Sequence, residues 1–140
     1  MILLDTNVIS ELMRAEPART LLDWFGRHSA AKLYISAITE AELRTGVAIL
    51  PKGQRRDRLQ LAINAMIEQD FQGRVMSFDS MAAKAYAEIA AQRRTAGRPI
   101  AEADCQIAAI ARATNAPVAT RNTEDFDGCG IQLINPWSDQ

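Results

Sequence analysis

Histidine and cysteine are almost missing from this 140-residue chain, which carries only His28, Cys105 and Cys129. Two cysteines at that separation match neither a metal motif nor a disulfide framework. Both read as small buried side chains. His28 lies beside an apolar helix end and reads as a surface or packing residue, so no Ser–His or Cys–His nucleophile is on offer. No apolar run approaches the roughly 20 residues that cross a bilayer. Asp5 also interrupts any reading of the first residues as a signal peptide, so a cytoplasmic protein away from membranes is expected. Strong charge of one sign is missing too: 16 basic against 17 acidic residues leave a net charge of −1. Proteins that coat nucleic acid draw their affinity from neutralised phosphates and are usually basic, which disfavours such a coat here. A site that handles one phosphate through bound cations is not excluded, because the ions bring positive charge locally.

The hydrophobic fraction, 48%, and the length together suit one domain, residues 1–140, with a core of its own. Ile2-Leu3-Leu4 is a short continuous apolar run, the mark of a strand buried on both faces. Thr6 or Asn7 then offers an N-cap for a helix bearing Val8, Ile9 and Leu12. Pro17 suits the first turn of a second helix, with Leu21, Leu22, Trp24 and Phe25 on its stripe. Leu33-Tyr34-Ile35 reads as a strand, and Ser36 caps a helix with Leu43, Val47 and Leu50 that Pro51 stops. A longer helix follows Lys52-Gly53, with Leu59, Ile63, Met66 and Ile67 at helical spacing. Residues 74–78 (RVMSF) read as a third strand. Asp79 or Ser80 caps a helix with Ala82, Tyr86, Ile89 and Ala90, ending near Gly97-Arg98-Pro99. A helix over about 100–114, a strand over 117–120, a turn through RNTEDF and a strand IQLI before Pro136 complete the chain. Strands alternate with helices and no linker intervenes. That pattern predicts one α/β domain with a mostly parallel sheet covered on both faces.

In open α/β sheets ligands bind beyond the carboxyl ends of the strands. Asp5 stands at such an end. Ser36, leading to Glu40 and Glu42, and Thr120, leading to Asn122 and Asp125, stand at others. Asp104 shares a helical stripe with Ile107, Ala108 and Ala111, so an acid lies on the face that should meet the sheet. A buried carboxylate needs a cation, strong donors or a proton. Glu102 looks instead like a solvated first-turn acid favoured by the helix dipole, as does Glu40. Glu42 has Thr39, Thr45 and Gly46 for neighbours, which leave room for a ligand. Acids from separate segments gathered at one sheet edge repel unless something positive stands between them. Mg²⁺ or Mn²⁺ suits oxygen ligands, water and phosphate. Two basic groups, Lys52 with Arg55, Arg56 and Arg58, and Arg93 with Arg94 and Arg98, read as solvated helix faces or as a rim that meets polyanion.

DTNVISEL, ITEAELRTG, ADCQIAAIA and VATRNTEDF with INPW, in that order from Met1 to Trp137, resemble the PIN-domain ribonucleases. More closely they resemble the VapC toxins of toxin–antitoxin pairs, including the FitB-like branch. The resemblance implies a PIN-like fold and a Mg²⁺-dependent endoribonuclease, usually a homodimer, held inactive by a cognate antitoxin. The antitoxin's tail would fill the acidic groove with a basic side chain. Asp5 and Asp104 match the family's metal-binding aspartates, Glu42 its glutamate, and Thr6 and Asn7 the polar pair supporting the first aspartate. Many PIN domains place Asp where Asn122 stands; here Asp125 follows one turn later, which weakens a fully formed second metal site. The implied chemistry is hydrolysis. A water activated at the metal and oriented by Glu42 or Asp125 attacks phosphorus in line with the departing 3′ oxygen and leaves a 5′ phosphate. Thr6, Asn7, Thr120, Arg121 and Asn122 are placed to touch the substrate, and Trp24 and Phe25 are candidates for exposed apolar dimer contacts. A haloacid-dehalogenase-type phosphatase would need an acid at Asn7, and a phospho-receiver domain a lysine after its last strand; the lysines are Lys32, Lys52 and Lys84. A catalytically weak binding module of the same fold remains the alternative.

Overall fold

The computed structural model describes residues 1–138. Five parallel strands form one sheet in the order β3-β2-β1-β4-β5. They are β1 (Ile2–Leu4), β2 (Leu33–Ser36), β3 (Val75–Met76), β4 (Val118–Ala119) and β5 (Leu133–Ile134). Leu3 registers with Val118 and Leu4 with Ala119, which sets the first strand beside the fourth. From β1 the chain order runs one way through β2 and β3 and the other way through β4 and β5. The switch point therefore lies at the carboxyl ends of β1 and β4, where this class of sheet opens a crevice.

The side-chain period of two splits the core into layers on opposite faces of the sheet. Leu3 and Val118 pack with Ile89, Ile107, Ile110 and Phe126, beneath α5 (Ser80–Thr95) and α6 (Glu102–Ala113). Leu4 and Ala119 pack with Val8, Leu21, Trp24, Ile35, Leu43 and Ile63 on the other face. That face is covered by α1 (Thr6–Leu12), α2 (Arg19–Gly26), α3 (Ala37–Ala48) and α4 (Gln54–Ala65). The expected α/β architecture holds, and every strand pairing is parallel.

Several local expectations need correction. The N-cap of α1 is Asp5 itself, whose side chain accepts from the Thr6 N–H, rather than Thr6 or Asn7. Pro17 lies outside α2, which starts at Arg19. The last three strands keep only two ladder residues each, shorter than RVMSF, 117–120 and IQLI imply. Met66 and Ile67 belong to a wider π-type turn, Met66–Asp70, and not to α4. Trp24 is fully buried, so it is unavailable as an exposed dimer contact, and Phe25 is half-buried. Trp24 meets Phe25 edge-on at 5.3 Å between centroids and His28 at 4.2 Å, and His28 Nδ1 lies 2.7 Å from the Trp24 carbonyl. His28 is a packing residue.

Candidate active site

Asp5 ends β1 and starts α1, so its carboxylate sits where the strand stops and free amides begin. The residue is only 6% exposed. Oδ1 accepts from the Thr6 N–H at 2.8 Å. Oδ2 accepts from Thr120 Oγ1 at 2.8 Å and from Asn7 Nδ2 at 3.2 Å. The Asn7 amide also reaches Thr120 Oγ1 at 3.3 Å, and its Oδ1 accepts from the Arg121 N–H. These contacts lock β1 to β4 at the switch point. Burial pushes the Asp5 carboxyl above its usual range, the donors from Thr120 and Thr6 oppose this, and the charges of Glu42 and Asp125 add to it.

Asp104 occupies the third position of α6, in the first turn, where the helix dipole favours an acid. Its side chain is half-buried, and among the described residues no hydrogen-bond donor reaches it. Its pKa is pushed up to about 6, first by burial and then by the charges of Asp5, Asp125 and Glu42, with Arg93 acting in the opposite direction. Asp5 and Asp104 line one groove of about 620 Å³ with Thr6, Asn7, Glu42, Arg121 and Asn122. Glu42, exposed on α3, accepts from Thr6 Oγ1 at 2.6 Å. The same hydroxyl lies 3.0 Å from Thr39 Oγ1, and Ser36 caps α3 through the Thr39 N–H. Asp125, exposed on the 3₁₀ turn Thr123–Phe126, is near enough for its charge to bear on both aspartates. Glu40 is engaged elsewhere: it pairs with Arg44 at 2.7 Å, and Arg44 in turn donates to Asn64 of α4. Glu102 is exposed.

Two expectations change. Thr120 is fully buried and its hydroxyl donates to Asp5, so it serves the aspartate rather than a bound substrate. The group Arg93, Arg94 and Arg98 is not a solvated face throughout, because Arg93 is buried and bonded to backbone carbonyls while Arg98 pairs with Asp127 at 2.9 Å. The groove also holds Ser10, Glu11, Arg14 and Trp137, which sequence reasoning did not place there. Glu11 accepts from the Ala18 N–H at 2.9 Å and from Arg14, which hold its carboxyl below the usual range. Its position one turn after Asn7 on α1 was the available signal. Arg121 lies over the Trp137 ring at 5.1 Å.

The donor set suits a hard divalent ion. Among the described residues no group of three or more His, Cys, Asp or Glu side chains is close enough to hold a metal. A Mg²⁺ site needs less, because that ion keeps several waters and takes one or two carboxylates. Asp104 supplies the fitting observation, as a carboxylate with no donor in a groove whose other acids already oppose its charge.

The family pattern described as PIN domain matches residues 2–128. The chain belongs to the PIN-domain family. Three relatives of this PIN-domain chain extend over almost its full length. The plasmid stability protein StbB of Pseudomonas syringae pv. tomato is 49% identical, covering 98% of this chain and 99% of its own. The VapC ribonuclease Y4jK of Sinorhizobium fredii is 47% identical, covering 98% of each. The toxin FitB of Neisseria gonorrhoeae is 42% identical, covering 99% of this chain and all of its own. The crystal structure of FitAcB from the same organism matches with a TM-score of 0.92 and 42% identity over 99% of each chain. Among the described residues of this PIN domain, no helix is long and apolar enough to cross a membrane.

Proposed function

We propose that this PIN-domain protein is a divalent-metal-dependent endoribonuclease and the toxin of a toxin–antitoxin pair, with Mg²⁺ as its ion and Mn²⁺ able to replace it. The observation that carries this reading is the meeting of Asp5 and Asp104, from distant parts of the chain, in one groove where their charges oppose each other. Asp5 and Asp104 would hold the ion. When bound, it supplies charge neutralisation between the carboxylates and Lewis-acid polarisation of a phosphate.

The chain's own groups account for the rest. Thr6, Asn7 and Thr120 hold the Asp5 carboxylate in one orientation, so little reorganisation is left for the reaction itself. Glu42, which lines the groove and accepts from Thr6 Oγ1, and Asp125, whose charge reaches both aspartates from outside the groove's lining, are the carboxylates that would accept a proton from water as it attacks phosphorus. The P–O3′ bond breaks as the new P–O bond forms, leaving a 5′ phosphate and a 3′ hydroxyl with no part for the 2′-hydroxyl. Arg121 and Asn122 line the same groove and suit the phosphates beside the scissile bond.

The names of the relatives, a VapC ribonuclease and a FitB toxin, support the same reading. A cognate antitoxin would dock on a second groove between α1, α3 and α4. That groove is lined by Met13, Leu43, Val47, Leu59 and Ile63, with Arg55 and Arg58 at its rim, and it shares Thr6, Arg14 and Glu42 with the acidic groove. An apolar tail seated there could deliver a basic side chain to the carboxylates. By the same family likeness the protein acts in the cytoplasm as a homodimer, which sedimentation would check. The neutral Asn122 favours a second reading, a catalytically weak module that binds nucleic acid with its antitoxin. Incubation of the purified protein with RNA decides between them. Cleavage in Mg²⁺ that EDTA stops and Asp5→Asn removes supports the nuclease; intact RNA under all these conditions leaves the binding module.

A further inference from the structure

We propose that Arg93 is a positioning residue for the active site, one that holds the turn bearing Asp125 in register with the end of α5. It rests on the reading of Asp125 as a member of the active centre. Arg93 lies near the end of α5 and is 7% exposed, yet among the described residues it has no ion-pair partner. Its donors go to backbone instead. Nε donates to the Arg98 carbonyl at 2.7 Å, and Nη1 to the carbonyls of Asp125 at 3.0 Å and Asp127 at 2.8 Å. Cys129 Sγ lies 3.8 Å from the same nitrogen.

The 3₁₀ turn and the residues after it thus curl around one buried cation. Gly128, at a φ of +77°, lets the chain make that curve, and a Cβ there would stand 3.9 Å from Arg93 Cδ. Arg98 closes the arrangement from outside, through its N–H to the Arg93 carbonyl and its pair with Asp127. A buried guanidinium is an expensive way to join two loops if joining is all it does, because desolvating a charge costs several kcal/mol. Here the joined turn carries Asp125, so one side chain fixes the backbone on either side of an active-site acid.

A structural staple and a positioning residue differ in how their loss combines with loss of Asp125. The purified full-length protein is assayed in saturating Mg²⁺ on a single-stranded RNA, as Arg93→Lys, as Asp125→Asn and as the double variant, with thermal midpoints measured alongside. Lys keeps the charge but not the fork, so kcat should fall roughly 10- to 100-fold, the scale for a reacting group displaced by about 1 Å, while KM for RNA stays within about twofold of wild type. In the Asp125→Asn background the same change should cost less than about threefold, although its thermal cost is the same in both backgrounds. Losses of kcat that multiply in the double variant overturn the proposal, as does wild-type kcat in Arg93→Lys. If Arg93→Lys does not fold, Arg98→Ala loosens the same turn from its exposed side. Its smaller kcat loss should also vanish with Asp125→Asn, and additivity there overturns the proposal equally. Unchanged kcat in Asp125→Asn alone would bring down the reading of Asp125 along with it, whereas a lowered value with additive losses removes only the role of Arg93.

Discussion

Replacing Asp104 with Asn removes one negative charge from a groove where burial, Asp5, Asp125 and Glu42 all disfavour it. The metal-free protein should become more stable at pH 7, although the site is broken. The rise from 3.8 to about 6 corresponds to about 3 kcal/mol if felt in full. The side chain is partly open to water, and screening of roughly half leaves about 1.5 kcal/mol. For a chain of this length that is worth about 5 °C in the thermal midpoint. The sign follows from linkage. A carboxyl whose folded pKa lies above its unfolded value binds more protons when folded, so stability falls as pH rises from about 4 through about 6. The gain from Asp104→Asn should therefore be near its full size at pH 7, still about half of that at pH 5, and small at about pH 3.5, below the unfolded value, where the acid is protonated in both states. Saturating Mg²⁺ should stabilise the wild type and do little for the variant, because binding to the folded state alone raises stability by mass action. Calorimetry at these pH values, with and without Mg²⁺ and with EDTA as control, reads all of this. A lower midpoint for Asp104→Asn at pH 7, or an undiminished gain at about pH 3.5, would refute the reasoning and make Asp104 an ordinary structural acid.

Asp5→Asn and Asp104→Asn should each abolish RNA cleavage in a gel assay, while Glu102→Gln, on the exposed side of α6, should keep most of it; equal losses would mean the wrong helix acid has been chosen. Thr120→Val takes a donor from Asp5, and denaturant titration should show a loss of about 1 kcal/mol together with a clear fall in kcat. Trp24→Ala should cost about 3–5 kcal/mol and lower the thermal midpoint by more than 10 °C. A mild effect there would contradict its place in the core. Chelation of the wild type should stop cleavage reversibly, with Mg²⁺ or Mn²⁺ restoring it; activity that persists in EDTA would rule out the metal.

The chain itself announced the pieces. An apolar run broken by an acid marked Asp5 as a strand-end residue, since strand burial and carboxylate hydration are incompatible in one stretch. Asp104 was legible because helical spacing put it on the stripe of Ile107, Ala108 and Ala111, which are buried. The α/β class followed from alternation of short apolar runs with helical stripes. All of these signals act over a few residues. The meeting of the acids does not, because it depends on β1 lying beside β4, which brings Thr120 into hydrogen bond with Asp5 across 115 residues of chain. Strand order is a choice among packings that local periodicity leaves open. The same limit hid the burial of Thr120, the interior place of Trp24 and the entry of Trp137 into the groove. Arg93 shows it most plainly. A basic residue in a basic run reads as solvated, and only the folded chain brings three carbonyls to its guanidinium and makes a buried charge tolerable.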